Sequence, residues 1–156
     1  MERVHYVYIL ACGEQPKVFY KFGVTSGPKH WHAWTGTKSA VSKRISGLQV
    51  GNPLKITAVG ILPALELAHG IGFIGGDSRV AAFYAEKALH ARVIDEHVLG
   101  EWFSGPTASR IAAASQLRFK HSKYSPLARV LDVLNPRQGP ALPSSFNRFP
   151  YYQLSA

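Results

Sequence analysis

Cysteine occurs once, as Cys12. A lone thiol excludes an internal disulfide and any zinc centre built on several cysteines, and it suits a reducing compartment. Acidic side chains are also scarce: 9 Asp and Glu stand against 18 Lys and Arg, for a formal net charge of +9. Such an excess attracts anionic polymers, nucleic acid above all. No apolar run is long enough to cross a bilayer, and Met1-Glu2-Arg3-Val4-His5 lacks the apolar core of a signal peptide. The chain therefore reads as soluble and cytoplasmic, with no membrane partner. Internal repeats are absent, as are GxxxxGK[ST], HExxH and GxSxG. Gly70-Ile71-Gly72-Phe73-Ile74-Gly75 does spell GxGxxG, but Glu66-Leu67-Ala68-His69 before it is not a strand, so no dinucleotide loop is expected.

The 156 residues suit one domain, and an apolar share of 46% is that of a folded globule. Positive charge is unevenly spread. From Thr107 onward 7 basic residues (Arg110, Arg118, Lys120, Lys123, Arg129, Arg137, Arg148) meet one acid, Asp132. That end can follow a phosphate backbone, or serve as a solvated surface.

Val4 to Leu10 and Val18 to Val24 are β-branched, aromatic and aliphatic runs, joined by the breaker-rich residues 11–17; they predict a β-hairpin. The near-continuous apolar character of the first predicts a central strand. Residues 25–38 read as a polar connection holding His30, Trp31, His32 and Trp34. A helix is predicted from about Ser39, with Val41, Ile45 and Leu48 as its apolar stripe and Arg44 at the border, about 60° from Val41. Gly51-Asn52-Pro53 is a turn, Leu54 to Leu62 a third strand, and residues 64–78 an irregular Gly-rich insertion. A second helix is predicted over Arg79–Val98, its apolar face made of Val80, Phe83, Tyr84, Ala88, Ala91, Ile94 and Val98, with Glu86 and His90 as i, i+4 neighbours on its flank. Glu101-Trp102-Phe103 is a short strand, Thr107 to Phe119 a third helix, and Leu127 to Leu134 a further helical stretch. The Pro-bearing tail from Asn135 is expected to be irregular, packed through Phe146, Phe149, Tyr151 and Tyr152.

The order β-β-α-β-α-β-α predicts an α/β (α+β sandwich) fold: a small mixed or antiparallel sheet with an N-terminal hairpin, flanked by helices. Residues 1–121 form the expected domain, with 64–78 inserted, and 122–156 a basic, Pro-rich extension packed on it.

Tyr6-Val7-Tyr8 on the first strand, Lys21-Phe22-Gly23 on the second, Arg44 on a following helix and Glu86 on a later one form a constellation that resembles the GIY-YIG nuclease family. Arg44-Ile45-Ser46-Gly47-Leu48-Gln49, Ala85-Glu86-Lys87-Ala88-Leu89-His90 and Gly100-Glu101-Trp102-Phe103 look like its phage-associated branch. The resemblance covers roughly residues 4–110 and rests on the order and spacing of the motifs. Tyr6 and Lys21 replace the first Gly and the second Tyr of the family name, and no residue matches the family's late Asn, neither Glu101 nor Ser104 serving as its substitute.

The resemblance implies a DNA endonuclease that uses Mg²⁺ (or Mn²⁺) and leaves 3′-hydroxyl and 5′-phosphate ends, with a restriction-like or structure-selective substrate. It implies catalytic roles for Tyr8, Lys21, Arg44, Glu86 and His90, with Glu86 as the metal ligand. The chemistry agrees. A single hard cation held by one carboxylate, waters and phosphate suits Glu86. Arg44 offers a planar fork to phosphoryl charge. Tyr8 can take a proton from water if Lys21, Arg44 or a metal lowers its pKa. His30, His32, Lys38, Lys43, Arg110, Arg118, Lys120 and Lys123 are the expected DNA contacts. A homodimer is compatible with this reading, and no small-molecule cofactor is expected. The alternative is a nucleic-acid-binding module that keeps the fold without cutting.

Overall fold

The computed structural model describes residues 3–28, 34–116 and 125–135. The expected tail packing, and the DNA contacts assigned to His30, His32, Arg118, Lys120 and Lys123, lie outside the described residues.

The hairpin forms, and it is longer than the sequence pattern implied. β1 (Arg3–Glu14) and β2 (Lys17–Pro28) pair antiparallel from Arg3↔Pro28 to Glu14↔Lys17. The connection therefore shrinks from residues 11–17 to Gln15 and Pro16. The breaker Gly13 is absorbed into the strand at φ 93°, a conformation open to glycine. Residues 25–28, expected to be a loop, are strand, because the first residues of β1 supply their ladder partners.

Helix α1 (Trp34–Gln49) follows and starts earlier than Ser39. β3 (Ile56–Pro63) pairs with the other side of β1. Gln49 clamps the turn between them: its Nε2 donates to Asn52 O (3.0 Å) and Leu54 O (2.8 Å), and its Oε1 accepts from Ile56 N (2.9 Å). That clamp fixes α1 against the sheet.

Residues 64–78 are not an irregular insertion throughout. α2 (Ala64–Gly70) occupies their first half, because Ala64, Leu67 and Ala68 fall at helical spacing and are buried. α3 (Ser78–Arg92) then starts on the Asp77 cap, whose side chain accepts from Arg79 N and Val80 N. It ends at Arg92, not Val98, and a 3₁₀ turn (Ile94–Glu96) leads into β4 (His97–Leu99) and β5 (Trp102–Phe103). α4 (Pro106–Ser115) and α5 (Pro126–Leu134) complete the described chain. The helix expected from Thr107 to Phe119 ends at Ser115, with Gln116 already extended; residues 117–119 lie outside the described residues. The order is thus β-β-α-β-α-α-β-β-α-α. The strands form one antiparallel sheet in the order β3-β1-β2-β5-β4, so the fold is an α+β sandwich with β1 central among the longer strands.

Both faces of β1 are covered, which explains its near-continuous apolar run. Tyr6, Tyr8, Leu10 and Cys12 pack with Ile56 and Ile61 under Val41, Ile45 and Leu48 of α1. Val7 and Ile9 face the opposite side, with Phe22, Leu62, Leu67, Leu89, Ile111 and Val130 from β2, β3 and α2 to α5. Each such large side chain, fully buried, contributes about 1.5–3 kcal/mol. Val130 and Val133 place α5 in the same core as the rest of the domain.

The buried face of α3 differs from the predicted one. Ala81, Ala82, Ala85 and Leu89 pack against the sheet, whereas Val80, Phe83 and Tyr84 are exposed, as are Ala91, Ile94 and Val98. Alanines let the helix backbone approach the strands, where Phe83 and Tyr84 would hold it away.

Candidate functional site

Tyr8 points to the α1 side of β1 and is 3% exposed. Its ladder partner on β2 is Gly23. A Cβ built on Gly23 would overlap the Tyr8 hydroxyl and Cζ and come within 2.8 Å of Cε2. The missing side chain is therefore the space in which the phenol lies. Lys21 stands two residues from Gly23 on β2, hence on the same face as Tyr8.

Arg44 comes from α1, at the border of the stripe that packs Val41 and Ile45 on this face, and it is exposed. Its guanidinium lies close enough to the Tyr8 hydroxyl to act on it electrostatically. Lys21, by contrast, is 3% exposed, and its Nζ is paired with Glu101, which lies just before β5.

Glu86 reaches the same region from the opposite layer. β2 pairs with β5 only at Tyr20↔Phe103, so no described strand pairs with β2 beyond that point. α3 runs along this open edge: His90 Nε2 donates to Phe22 O at 3.1 Å. Glu86, one turn earlier on the same flank, is half-buried and close enough for its charge to act on both Tyr8 and Lys21. Tyr8, Lys21, Arg44 and Glu86 thus converge, although they come from two strands and two helices on opposite faces.

His90 is turned elsewhere. With Nε2 donating to the Phe22 carbonyl, its ring packs 5.3 Å from that of Phe103. This ties α3 to β2 and holds the register of Glu86. In this geometry Nε2 of His90, expected to be catalytic, is engaged by the β2 backbone.

The electrostatics weigh burial against charge. Burial raises the Tyr8 pKa above the ordinary 10.0; Arg44 lowers it, and Glu86 raises it, with a net upward result. Arg44 thus lowers the pKa, as named among the expected causes, but burial outweighs it in the protein alone, and Lys21 is not among the causes. Lys21 is pushed down by burial first and by Arg44 second, against the pull of Glu86. The Glu101 carboxylate at its ammonium also favours the charged form.

Glu101 is the residue that sequence reasoning set aside. Its signal was electrostatic, since a buried lysine requires an acid nearby, but the pairing depends on β5 lying beside β2, which local patterns do not reveal. The remaining expected DNA contacts are not gathered. Lys43 is exposed on α1 and Arg110 on α4, which lie on opposite faces of the sheet, and the side chain of Lys38 lies outside the described residues. Arg129, counted among the basic residues of this end, is buried, with its guanidinium donating to Ala114 O (2.9 Å) and Gln116 O (2.5 Å).

Among the described residues no cluster of three or more His, Cys, Asp or Glu could hold a metal. The donor chemistry of the site, one half-buried carboxylate beside a phenol, fits a hard cation that keeps most of its waters and takes its other ligands from a substrate. It does not fit a fully protein-chelated ion. No protein-family model, curated protein or solved structure matches this chain.

Proposed function

We propose that the protein is a Mg²⁺-dependent DNA endonuclease of the GIY-YIG type, hydrolysing phosphodiester bonds at the Tyr8–Arg44–Glu86 site. The observation that carries this reading is the convergence itself. A buried phenol with an exposed guanidinium and a carboxylate both in electrostatic reach is an expensive arrangement for packing alone.

Each group has a task in phosphodiester cleavage. The Arg44 fork is exposed, so it can bind a phosphoryl oxygen and stabilise charge that builds there. Tyr8 is held neutral at rest. To act as a base it must first release its own proton to solvent; Arg44 is placed to stabilise that phenolate, which then takes the proton of the attacking water and returns to the phenol. Lys21, anchored by Glu101, adds a fixed positive charge beneath the site without reaching into solvent. Glu86 would hold the cation. When bound, Mg²⁺ supplies charge neutralisation at the phosphate and lowers the pKa of water. The net charge of +9 favours encounter with a polyanion.

A non-catalytic DNA-binding module on the same fold is the second reading. It is favoured by the raised pKa of Tyr8 and by the partial neutralisation of Lys21 by Glu101. Incubating the purified protein with plasmid and with single-stranded DNA, in Mg²⁺ or in chelator, separates the two. Cleavage only with metal supports the enzyme; binding without cleavage in either condition supports the module.

A further inference from the structure

A cavity of about 560 Å³ opens beside the candidate site and has no part in the chemistry above. Its volume lies in the range of small-molecule pockets. Val4, Pro63 and Leu65 give it an apolar wall, and His5, Glu66 and Arg79 a polar one. We infer that it takes one unpaired nucleotide of the substrate strand, with guanine as the preferred base.

Two elements run from this cavity to the candidate site. Tyr6 lines the cavity and Tyr8 lies two residues on, on the same face of β1, a separation of about 6.8 Å. On α3, Arg79 lines the cavity and Glu86 stands seven residues on, about 10.5 Å along the axis. A strand whose scissile phosphate sits at Tyr8 and Arg44, on the α1 side, and that passes round the start of β1 brings a neighbouring nucleotide to the cavity on the α2 and α3 side. This step rests on the nuclease reading; the pocket itself does not.

The wall is built. Ser78 Oγ accepts from His5 N at 2.8 Å and is hydrogen-bonded to His5 Nδ1 at 3.1 Å. In the tautomer that carries its ring proton on Nε2, His5 offers a donor suited to a sugar or phosphate oxygen. Arg79, on the exposed side, supplies a cation for the phosphate. Asp77 also lines the cavity, but its carboxylate caps α3 by accepting from Arg79 N and Val80 N. Glu66 is the other acid. It is exposed in the first turn of α2, where its two oxygens can accept the N1–H and N2–H of one guanine edge. Thymine, with a single N–H on that edge, makes half the pairing. Bases in such pockets are read by hydrogen bonds to this edge and by apolar contact, which requires them to be unpaired.

Gly76 provides the test. It lines the cavity, and a Cβ added there meets nothing within 4 Å, so Gly76→Phe fills the space without disturbing the backbone. Amide resonances of the full-length protein would be followed by NMR in chelator while dGMP, TMP or inorganic phosphate is added. The expected result is dGMP-dependent shifts at Ser78 and Arg79, at least tenfold weaker in Gly76→Phe. Glu66→Gln, a surface change, should weaken dGMP about tenfold and leave TMP unchanged. Equal shifts from phosphate alone, or wild-type dGMP affinity in both variants, would overturn the proposal. So would the absence of shifts at these residues. No cleavage is measured, so nucleotide binding by a protein that never cuts DNA would reject the nuclease reading and keep the pocket.

Discussion

Gly23 and Tyr8 face each other across the hairpin so closely that the glycine has no room for a side chain. The tyrosine ring fills the volume a Cβ would occupy, and this holds the hydroxyl under Arg44. Gly23→Ala should therefore displace the phenol while keeping the strands paired. The expected cost is about 1–3 kcal/mol of stability, as for other overpacked cores, with at least a hundredfold loss of cleavage rate. Thermal denaturation and single-turnover cleavage of the same preparation check both. An unchanged rate would mean that the hydroxyl position is irrelevant.

Arg44→Gln removes the charge that lowers the Tyr8 pKa. If the phenolate is the base, the rising limb of the pH–rate profile should move to higher pH, and the maximal rate should fall through loss of the phosphoryl contact. A lower rate with an unmoved limb would leave Arg44 a phosphate ligand only.

Tyr6 and Tyr8 both have pKa values raised above 10.0, chiefly by burial. Their phenols ionise later in the folded chain than in the unfolded one. The stability this gives is fully present below pH 10.0 and is lost as pH climbs from that value through their folded pKa values. Tyr8→Phe should flatten the alkaline loss of stability, measured by chemical denaturation across that range. An identical alkaline slope in the variant would place Tyr8 in a solvated environment.

The Lys21–Glu101 pair joins a buried ammonium to a carboxylate whose side chain is 59% exposed. Glu101→Gln leaves the ammonium buried with weaker compensation. Because one partner is solvated, the cost should be about 1–3 kcal/mol, below that of breaking a fully buried pair. Lys21→Met removes the buried charge and should make Glu101→Gln nearly neutral. The double-mutant cycle checks it; additive effects would mean that the contact carries no coupling.

Much of this arrangement was legible in the sequence, and the rest was hidden for identifiable reasons. The hairpin, the stripe Val41, Ile45 and Leu48, and the α+β class follow from local periodicity. Periodicity failed for α3 because it weights large apolar residues. Phe83 and Tyr84 therefore pointed to one face, while packing selected the alanines on another. α2 was concealed by the glycines that follow it. The grouping of Tyr8, Lys21, Arg44 and Glu86 was suggested by the resemblance to the GIY-YIG family, and Glu86 reaches the others where no described strand pairs with β2 beyond Tyr20. That is a property of topology, as is the pairing of Lys21 with Glu101 across β2 and β5.

Glu86→Gln tests the central claim most directly. The amide keeps the size of the side chain and removes the charge that would hold the cation. Cleavage of plasmid DNA should be abolished at ordinary Mg²⁺ concentrations, with melting temperature and DNA affinity in chelator unchanged. Full metal-dependent cleavage by Glu86→Gln would contradict the account.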